Sequence, residues 1–316
     1  MQRFSRTTVG PKSTRCFTTS KNEIRRSYLY VPSSSDKLLE KSLTVKSDII
    51  IYDLEDSVSP APADKKDARD RLRTFLKRKD VPQAERVAIR LNDISTPFFQ
   101  QDITHILQSP SVQTLILPKI HSAQDLHYVS RHIHQISQKH PHETPLRIVP
   151  SIESARALWN LGAIAGWQSE HGALQGGAFA AEDYCADTSI IRTRSRQELL
   201  YTRSQIAIAA KAFGLEAIDM QAIHPAQVET IQNTFVPTAE EILRAAKILR
   251  GMQVAHASQK GAIGLDGEMI DAPMIKQVNL YYSSFITRIT LIISIIQATK
   301  IVEIAKEAGI EIPQID

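Results

Sequence analysis

Five charged residues recur along the chain at a nearly constant interval. Arg90, Lys119, Glu153, Asp183 and Asp219 follow one another at 29, 34, 30 and 36 residues. A strand and its returning helix take roughly 30 residues in a repeating βα fold. The interval therefore predicts that each charge stands at the same height on successive strands, with Glu153 and Asp183 as neighbours. Two carboxylates with room for water between them suit Mg²⁺, which takes one or two protein carboxylates and completes its shell with water or substrate oxygens. Zinc fits less well, because no Cys or His joins the pair. Further polar residues fall at comparable points: Asp53, Glu55, Asp56, Asn92, Glu182 and His224. His132, His134, His140 and His142 lie on a polar stretch that reads as a solvated helix face and the loop after it.

The elements that must carry these residues are short apolar runs: Ser27–Pro32, Asp48–Val58, Arg86–Asn92, Thr114–Ile120, Arg147–Glu153, Gly172–Tyr184, Leu215–Met220 and Gln221–Pro225. Runs without polar alternation read as strands buried on both faces of a parallel sheet. Amphipathic stretches separate them, among them 63–78 and 194–213. Eight strands mostly alternating with helices predict a TIM (β/α)8 barrel. An open doubly wound sheet is the alternative, but no Gly-x-Gly-x-x-Gly or phosphate-loop pattern follows any strand. In such barrels the C-terminal ends of the strands carry the active site. Apart from those four histidines, the polar residues named above belong to that rim, where Glu55 and Lys119 are also candidates for a simple ion pair.

The chain has 316 residues, 38 Lys+Arg and 34 Asp+Glu. That length buries a sizeable core. Two cysteines exclude a disulfide scaffold. Residues 1–22 hold Arg3, Arg6, Lys12, Arg15 and Lys21 and no acid. This is the composition of a mitochondrial transit peptide, and it predicts the mitochondrial matrix as the destination. Without those five cations, 33 Lys+Arg face 34 Asp+Glu, so the basic balance belongs to the leader. No basic patch with interleaved aromatics argues for nucleic acid. Residues 278–296 are long and apolar enough to span a bilayer, but Arg288 at their centre costs roughly 2.5–3.5 kcal/mol there, so no membrane association is expected.

Nine segments together resemble the citrate lyase β-subunit-like branch of the HpcH/HpaI aldolase superfamily, and within it the mitochondrial members. They are YLYVPSSSDK (28–37), DLEDSV (53–58), RLN (90–92), LPKI (117–120), Ile152-Glu153, AAEDY (180–184), AIDM (217–220), AIHPAQ (222–227) and DGEMIDAP (266–273). The resemblance implies a Mg²⁺-dependent TIM barrel. Its reaction would cleave a 3-hydroxyacyl-CoA, citramalyl-CoA or similar, into acetyl-CoA and a 2-oxo acid. Carried onto this sequence, Glu153 and Asp183 would hold the metal. Arg90 would stabilise the enolate or bind the oxo acid. Tyr30, Lys37, Lys41, Ile223 and His224 would contact the CoA ester. Asp271 would be the acid/base, delivered into a neighbouring subunit of a homotrimer. The domains so implied are the leader 1–22, the barrel 23–235 and a C-terminal helical extension 236–316.

Two departures from that pattern stand out. The seventh strand candidate ends near Asp219 and the eighth starts at once, so most of the seventh βα unit is missing. A parallel strand needs a crossover of a dozen or more residues before the next. The second departure is the apolar insert 278–297. Its removal joins MIKQ to ATKIVEIAKEAG as one amphipathic helix, and its end codons permit an unspliced intron. A catalytically impaired barrel that binds a metabolite or another subunit is therefore the competing reading. The condensation direction or a thioesterase step are variants that the same site would serve.

Overall fold

The computed structural model describes residues 25–109, 111–142, 144–218, 221–234, 238–258, 261–265 and 267–271. The leader, Asp219 and the insert 278–297 lie outside them. The strands are β1 (Tyr28–Pro32), β2 (Ile49–Asp53), β3 (Val87–Arg90), β4 (Thr114–Leu117), β5 (Leu146–Ile152), β6 (Gly172–Leu174), β7 (Gly176–Phe179), β8 (Glu216–Ile218) and β9 (Gln221–Ala222). All pair in parallel. Their order round the sheet is β8-β7-β5-β4-β3-β2-β1-β9. β6 and β7 both pair with β5 and are successive parts of one barrel strand. The result is a nearly closed barrel of eight parallel strands wrapped in helices.

Alternation along the strands divides the core in two. Ile49 and Ile51 join Tyr28, Ala88, Ile116, Val149, Ala178 and Ile218 in a cluster drawn from seven strands, which fills the barrel interior. Ile50 and Tyr52 face outward into the larger cluster under the helices. The helices are α1 (Asp36–Ser42), α2 (Pro62–Leu76), α3 (Phe98–Ile106), α4 (Ala123–Ser137), α5 (Ala155–Trp159), α6 (Leu161–Ala165), α7 (Ala181–Thr188), α8 (Leu200–Phe213), α9 (Ala226–Thr234) and α10 (Ala239–Ala257). None of the described helices is long and apolar enough to cross a membrane.

The missing unit leaves a plain mark. β8 pairs with β7 through Glu216–Ile218, and β9 pairs with β1 through Gln221–Ala222. Only two residues separate them, and no helix intervenes. One short run of chain thus meets the last barrel strand along its first part and the first strand along its second. This brings the sheet round without an ordinary seventh βα crossover.

Two expectations need correction. Glu182 and Asp183 do not end a strand: β7 stops at Phe179, and both acids lie in the first turn of α7. The described part of the extension is not helical throughout. After α10 it turns into an antiparallel hairpin, β10 (Ala262–Leu265) and β11 (Glu268–Asp271). Ile270 of the hairpin packs against Ile248 and Met252 of α10.

Gly176 is required where β7 meets β8. A Cβ there would lie 2.4 Å from the carbonyl oxygen of Glu216, whereas one at Gly162 of α6 would meet nothing within 4 Å. Gly176→Ala is expected to destabilise the fold by about 1–3 kcal/mol. Gly162→Ala is expected to be neutral or to stabilise it by about 1 kcal/mol. Urea midpoints of the two variants check this contrast.

Candidate active site

Asp53 ends β2 and is fully buried. Its cross-strand partner in the register is Arg90, at the end of β3. The guanidinium grips the carboxylate twice, Nε to Oδ1 at 2.7 Å and Nη2 to Oδ2 at 2.6 Å. The same carboxylate accepts the backbone N–H of Glu55 (2.9 Å) and of Ser57 (3.1 Å), which winds the acidic loop around it. The free corner of Arg90, Nη1, then meets Glu55 at 2.8 Å and Asp56 at 3.2 Å. Tyr30 of β1 lays its ring 4.8 Å from the guanidinium, a cation–π contact.

Two buried cations support this arrangement from behind. Lys65 of α2 donates to the carbonyl oxygens of Leu54 (2.8 Å) and Glu55 (2.7 Å) and so ties down the acidic loop. Arg69 of α2 pairs with Asp102 of α3 at 2.7 Å, both nearly inaccessible. Asp102 in turn accepts the backbone and side-chain N–H groups of Asn92 at 3.0 and 2.6 Å. That pins the chain two residues after Arg90. Asn92 is therefore a support rather than a rim ligand.

Lys119 links the next strands. It follows β4 with φ at +51°, a left-handed conformation uncommon for any residue but glycine. Its Nζ reaches Glu55 at 3.1 Å, and its backbone N–H donates to Glu153 Oε1 at 2.5 Å. Glu153, just beyond β5, is buried. Burial, then the negative charge of Glu55, raises its carboxyl to about 8. The Lys119 N–H pulls it the other way, and Asp183 adds a further upward push. Burial likewise raises Glu55, to about 7, against the pull of Arg90. The Tyr30 hydroxyl is raised by burial.

The spacing argument holds for Arg90, Lys119 and Glu153, which stand at or just beyond the ends of β3, β4 and β5 beside Tyr30; Asp183 comes near Glu153 from the first turn of α7 instead. The anticipated Glu55–Lys119 ion pair is present, but as one link in a longer network. Lys37 and Lys41 are exposed on α1, Ile223 is 79% exposed, and His224 is exposed on the loop after β9. Asp271 is half-buried opposite Ala262 in the hairpin, outside the barrel. His132 packs edge-on against Phe99 and Tyr128.

Glu153 and Asp183 offer oxygen donors only. Among the described residues no third His, Cys, Asp or Glu completes a three-ligand cluster with them. That donor set fits Mg²⁺, whose other positions go to water and substrate, and suits zinc less, since no Cys or His joins it.

The sequence profile of HpcH/HpaI aldolase/citrate lyase matches residues 26–251, more than half of the chain. The chain belongs to this family. Rat mitochondrial citramalyl-CoA lyase is 29% identical over 285 residues, covering 80% of this chain and 83% of the relative. The citrate lyase β subunit of Haemophilus influenzae is 30% identical, covering 82% and 96%. The crystal structure of Mycobacterium tuberculosis CitE in complex with magnesium, acetoacetate and coenzyme A shares the fold. Its TM-score is 0.66 at 22% identity, covering 88% of this chain and all of that one. Within the HpcH/HpaI family the match ends inside α10, so the hairpin with Asp271 lies beyond the profile.

Burial pushes the Asp53 carboxyl up, but the Arg90 bonds and charge, with the N–H groups of Ser57 and Glu55, pull it further down, to a net position below the usual carboxylate range. A group lowered on folding adds stability above its unfolded value and loses that stability as pH falls through its folded value. Asp53→Asn is therefore expected to cost about 3–5 kcal/mol at pH 7, as for a broken buried ion pair. The difference from the parent should shrink below about pH 4. Denaturant titrations from pH 7 to pH 2.5 measure it.

Proposed function

We propose that this chain is a Mg²⁺-dependent lyase that cleaves a 3-hydroxyacyl-CoA, citramalyl-CoA or a close analogue, into acetyl-CoA and a 2-oxo acid. The observation that carries the reading is an arginine fixed by Asp53 at the barrel mouth, close to an oxygen-only carboxylate pair. The family, its acyl-CoA lyase members and the magnesium and coenzyme A in the CitE complex support it.

Glu153 and Asp183 would hold the ion. When bound, Mg²⁺ polarises the oxygen that becomes the ketone and anchors the oxo acid's carboxylate. Breaking the carbon–carbon bond leaves its electron pair on acetyl-CoA as an enolate, while the hydroxyl proton passes to solvent water. Arg90 stabilises the developing oxyanion, because its orientation is set in advance by Asp53. Asp53 remains clamped during binding. Glu55 and Asp56 are the acids that an incoming substrate oxygen displaces from Nη1, and Asp56 is already half out in solvent. Lys37 and Lys41 lie four apart on α1 and share a face, so they meet the CoA phosphates, with Tyr30, Ile223 and His224 along the ester. Asp271 supplies the proton at the acetyl methyl. Its place on a hairpin outside the barrel supports delivery into a neighbouring subunit's site, within a homotrimer. The basic leader and the mitochondrial relatives support a location in the mitochondrial matrix.

The missing βα unit favours the second reading, a barrel that binds metabolite or partner without turnover. Purified protein with Mg²⁺ and citramalyl-CoA is expected to release pyruvate. Chelation should stop the release and added Mg²⁺ restore it. Glu153→Gln and Asp183→Asn should each weaken Mg²⁺ binding in calorimetry. Arg90→Gln is expected to lower kcat by about 10²–10³. No turnover from a chain that is folded by circular dichroism and still binds the CoA ester would replace the lyase reading with the binding one.

A further inference from the structure

Asp183 stands on α7, a helix of eight residues, and not on the sheet that fixes Glu153. A helix that short has little stability of its own, so its contacts set its place. At its start the N–H of Ala180 donates to the carbonyl oxygen of Ile152, the residue before Glu153, at 3.3 Å. On its inner face Tyr184 is buried edge-on against Phe179, and its hydroxyl accepts from Thr202 of α8 at 3.0 Å. In its last turn Asp187 Oδ2 accepts the N–H of Ala155, two residues after Glu153, at 2.8 Å. Glu182 pairs with Arg192, but its side chain is 79% exposed, so that ion pair adds little.

The Asp187 contact differs from the others in what it joins. Thr202 ties α7 to α8, which carries neither carboxylate of the pair. The Ala180 contact ties down only the point where α7 leaves the sheet, and the helix can still swing about it. Asp187 closes a loop that contains both acids. The loop runs from Glu153 through Ser154 to Ala155, across the hydrogen bond to Asp187, and back by one helical turn to Asp183. Asp183 and Asp187 are four apart and share a face of α7, and like charges at that spacing weaken a helix. The bond to Ala155 offsets that loss. It also satisfies the first N–H of α5, which has no partner within its own helix, while the Ser154 hydroxyl takes the N–H of Ala157 at 3.0 Å.

We propose that Asp187 is a positioning residue for the metal pair: through the N–H of Ala155 it fixes the span between Glu153 and Asp183, and with it the preference of the pair for Mg²⁺ over Ca²⁺. This rests on the reading of Glu153 and Asp183 as the Mg²⁺ site. Mg²⁺ demands near-ideal octahedral geometry with ligands at about 2.0–2.1 Å, whereas Ca²⁺ accepts irregular shells at about 2.3–2.6 Å. A pair whose span is no longer held therefore loses Mg²⁺ and keeps most of its hold on Ca²⁺.

The test is calorimetric titration of the full chain with MgCl₂ and with CaCl₂, with urea midpoints measured alongside. Asp187→Ala removes the acceptor and the charge. Asp187→Asn removes the charge and keeps an oxygen that accepts from Ala155. Ala155→Pro removes the donor and keeps the charge, at the first position of a helix, where proline fits, and after an extended Ser154. Asp187 and Ala155 are both exposed, so these variants are expected to fold. Asp187→Ala and Ala155→Pro should each raise the Mg²⁺ Kd at least fivefold and the Ca²⁺ Kd less than twofold. Asp187→Asn should stay within twofold of the parent for both ions. The Asp187→Ala/Ala155→Pro double variant should be no worse than either single one, since both break the same bond. An unchanged Mg²⁺ Kd in Asp187→Ala, with or without a lower urea midpoint, would reduce Asp187 to a helix cap and overturn the proposal. So would a Ca²⁺ loss as large as the Mg²⁺ loss, additive losses in the double variant, or a loss in Asp187→Asn equal to that in Asp187→Ala, which would make the charge what counts. A folded parent chain that binds neither ion would overturn the Mg²⁺ reading itself, and the proposal with it.

Discussion

Everything at the barrel mouth is referred to one buried pair. Asp53 has no access to water, so its charge is tolerable only because Arg90 and two backbone N–H groups surround it. Arg90 in turn keeps a fixed direction only because Asp53 holds two of its nitrogens. The third nitrogen then places Glu55, Glu55 places Lys119, and the backbone of Lys119 places Glu153. A chain of contacts thus runs across four strands from β2 to just past β5. Buried ion pairs add little net stability because desolvation offsets their attraction. Their value here is orientation, and the cations Lys65 and Arg69 behind the sheet serve the same end.

Lys119 shows how backbone and side chain divide the work. Its amino group answers one acid and its N–H another, and both can be reached only from a left-handed turn. Strain of this kind persists where the surroundings over-determine it, and it gathers at functional sites. A glycine would adopt the turn more easily and would lose the contact to Glu55.

Much of this was legible in the chain. Buried parallel strands need continuous apolar runs, so β1 to β5 announce themselves, and a 30-residue period sets Arg90, Lys119 and Glu153 on one rim. Asp183 was found for a partly wrong reason, since the glycine-rich run that seemed to carry it breaks at Phe179 and a helix begins. The supports were missed. Lys65 and Arg69 look like ordinary solvated positions on an amphipathic helix. A signal did exist in α3, where Asp102 shares the buried face of Phe99, Ile103 and Ile106. An acid on such a face calls for a hidden cation. The positive φ of Lys119 leaves no trace in residue type at all.

The run from Glu216 to Ala222 also sets an order of assembly. Most sheet neighbours pair across a few dozen residues. The final seam joins residues about 190 apart in sequence, as when the Tyr28 hydroxyl meets Glu216, and Gln232 fastens the same end of the chain to Ser27. Such contacts return little until a very long loop has been drawn in, so the seam zips last and frays first. With only a handful of ladder bonds to hold it, this barrel breathes along one line, and that line runs from the floor of the cylinder up to the loop that bears His224.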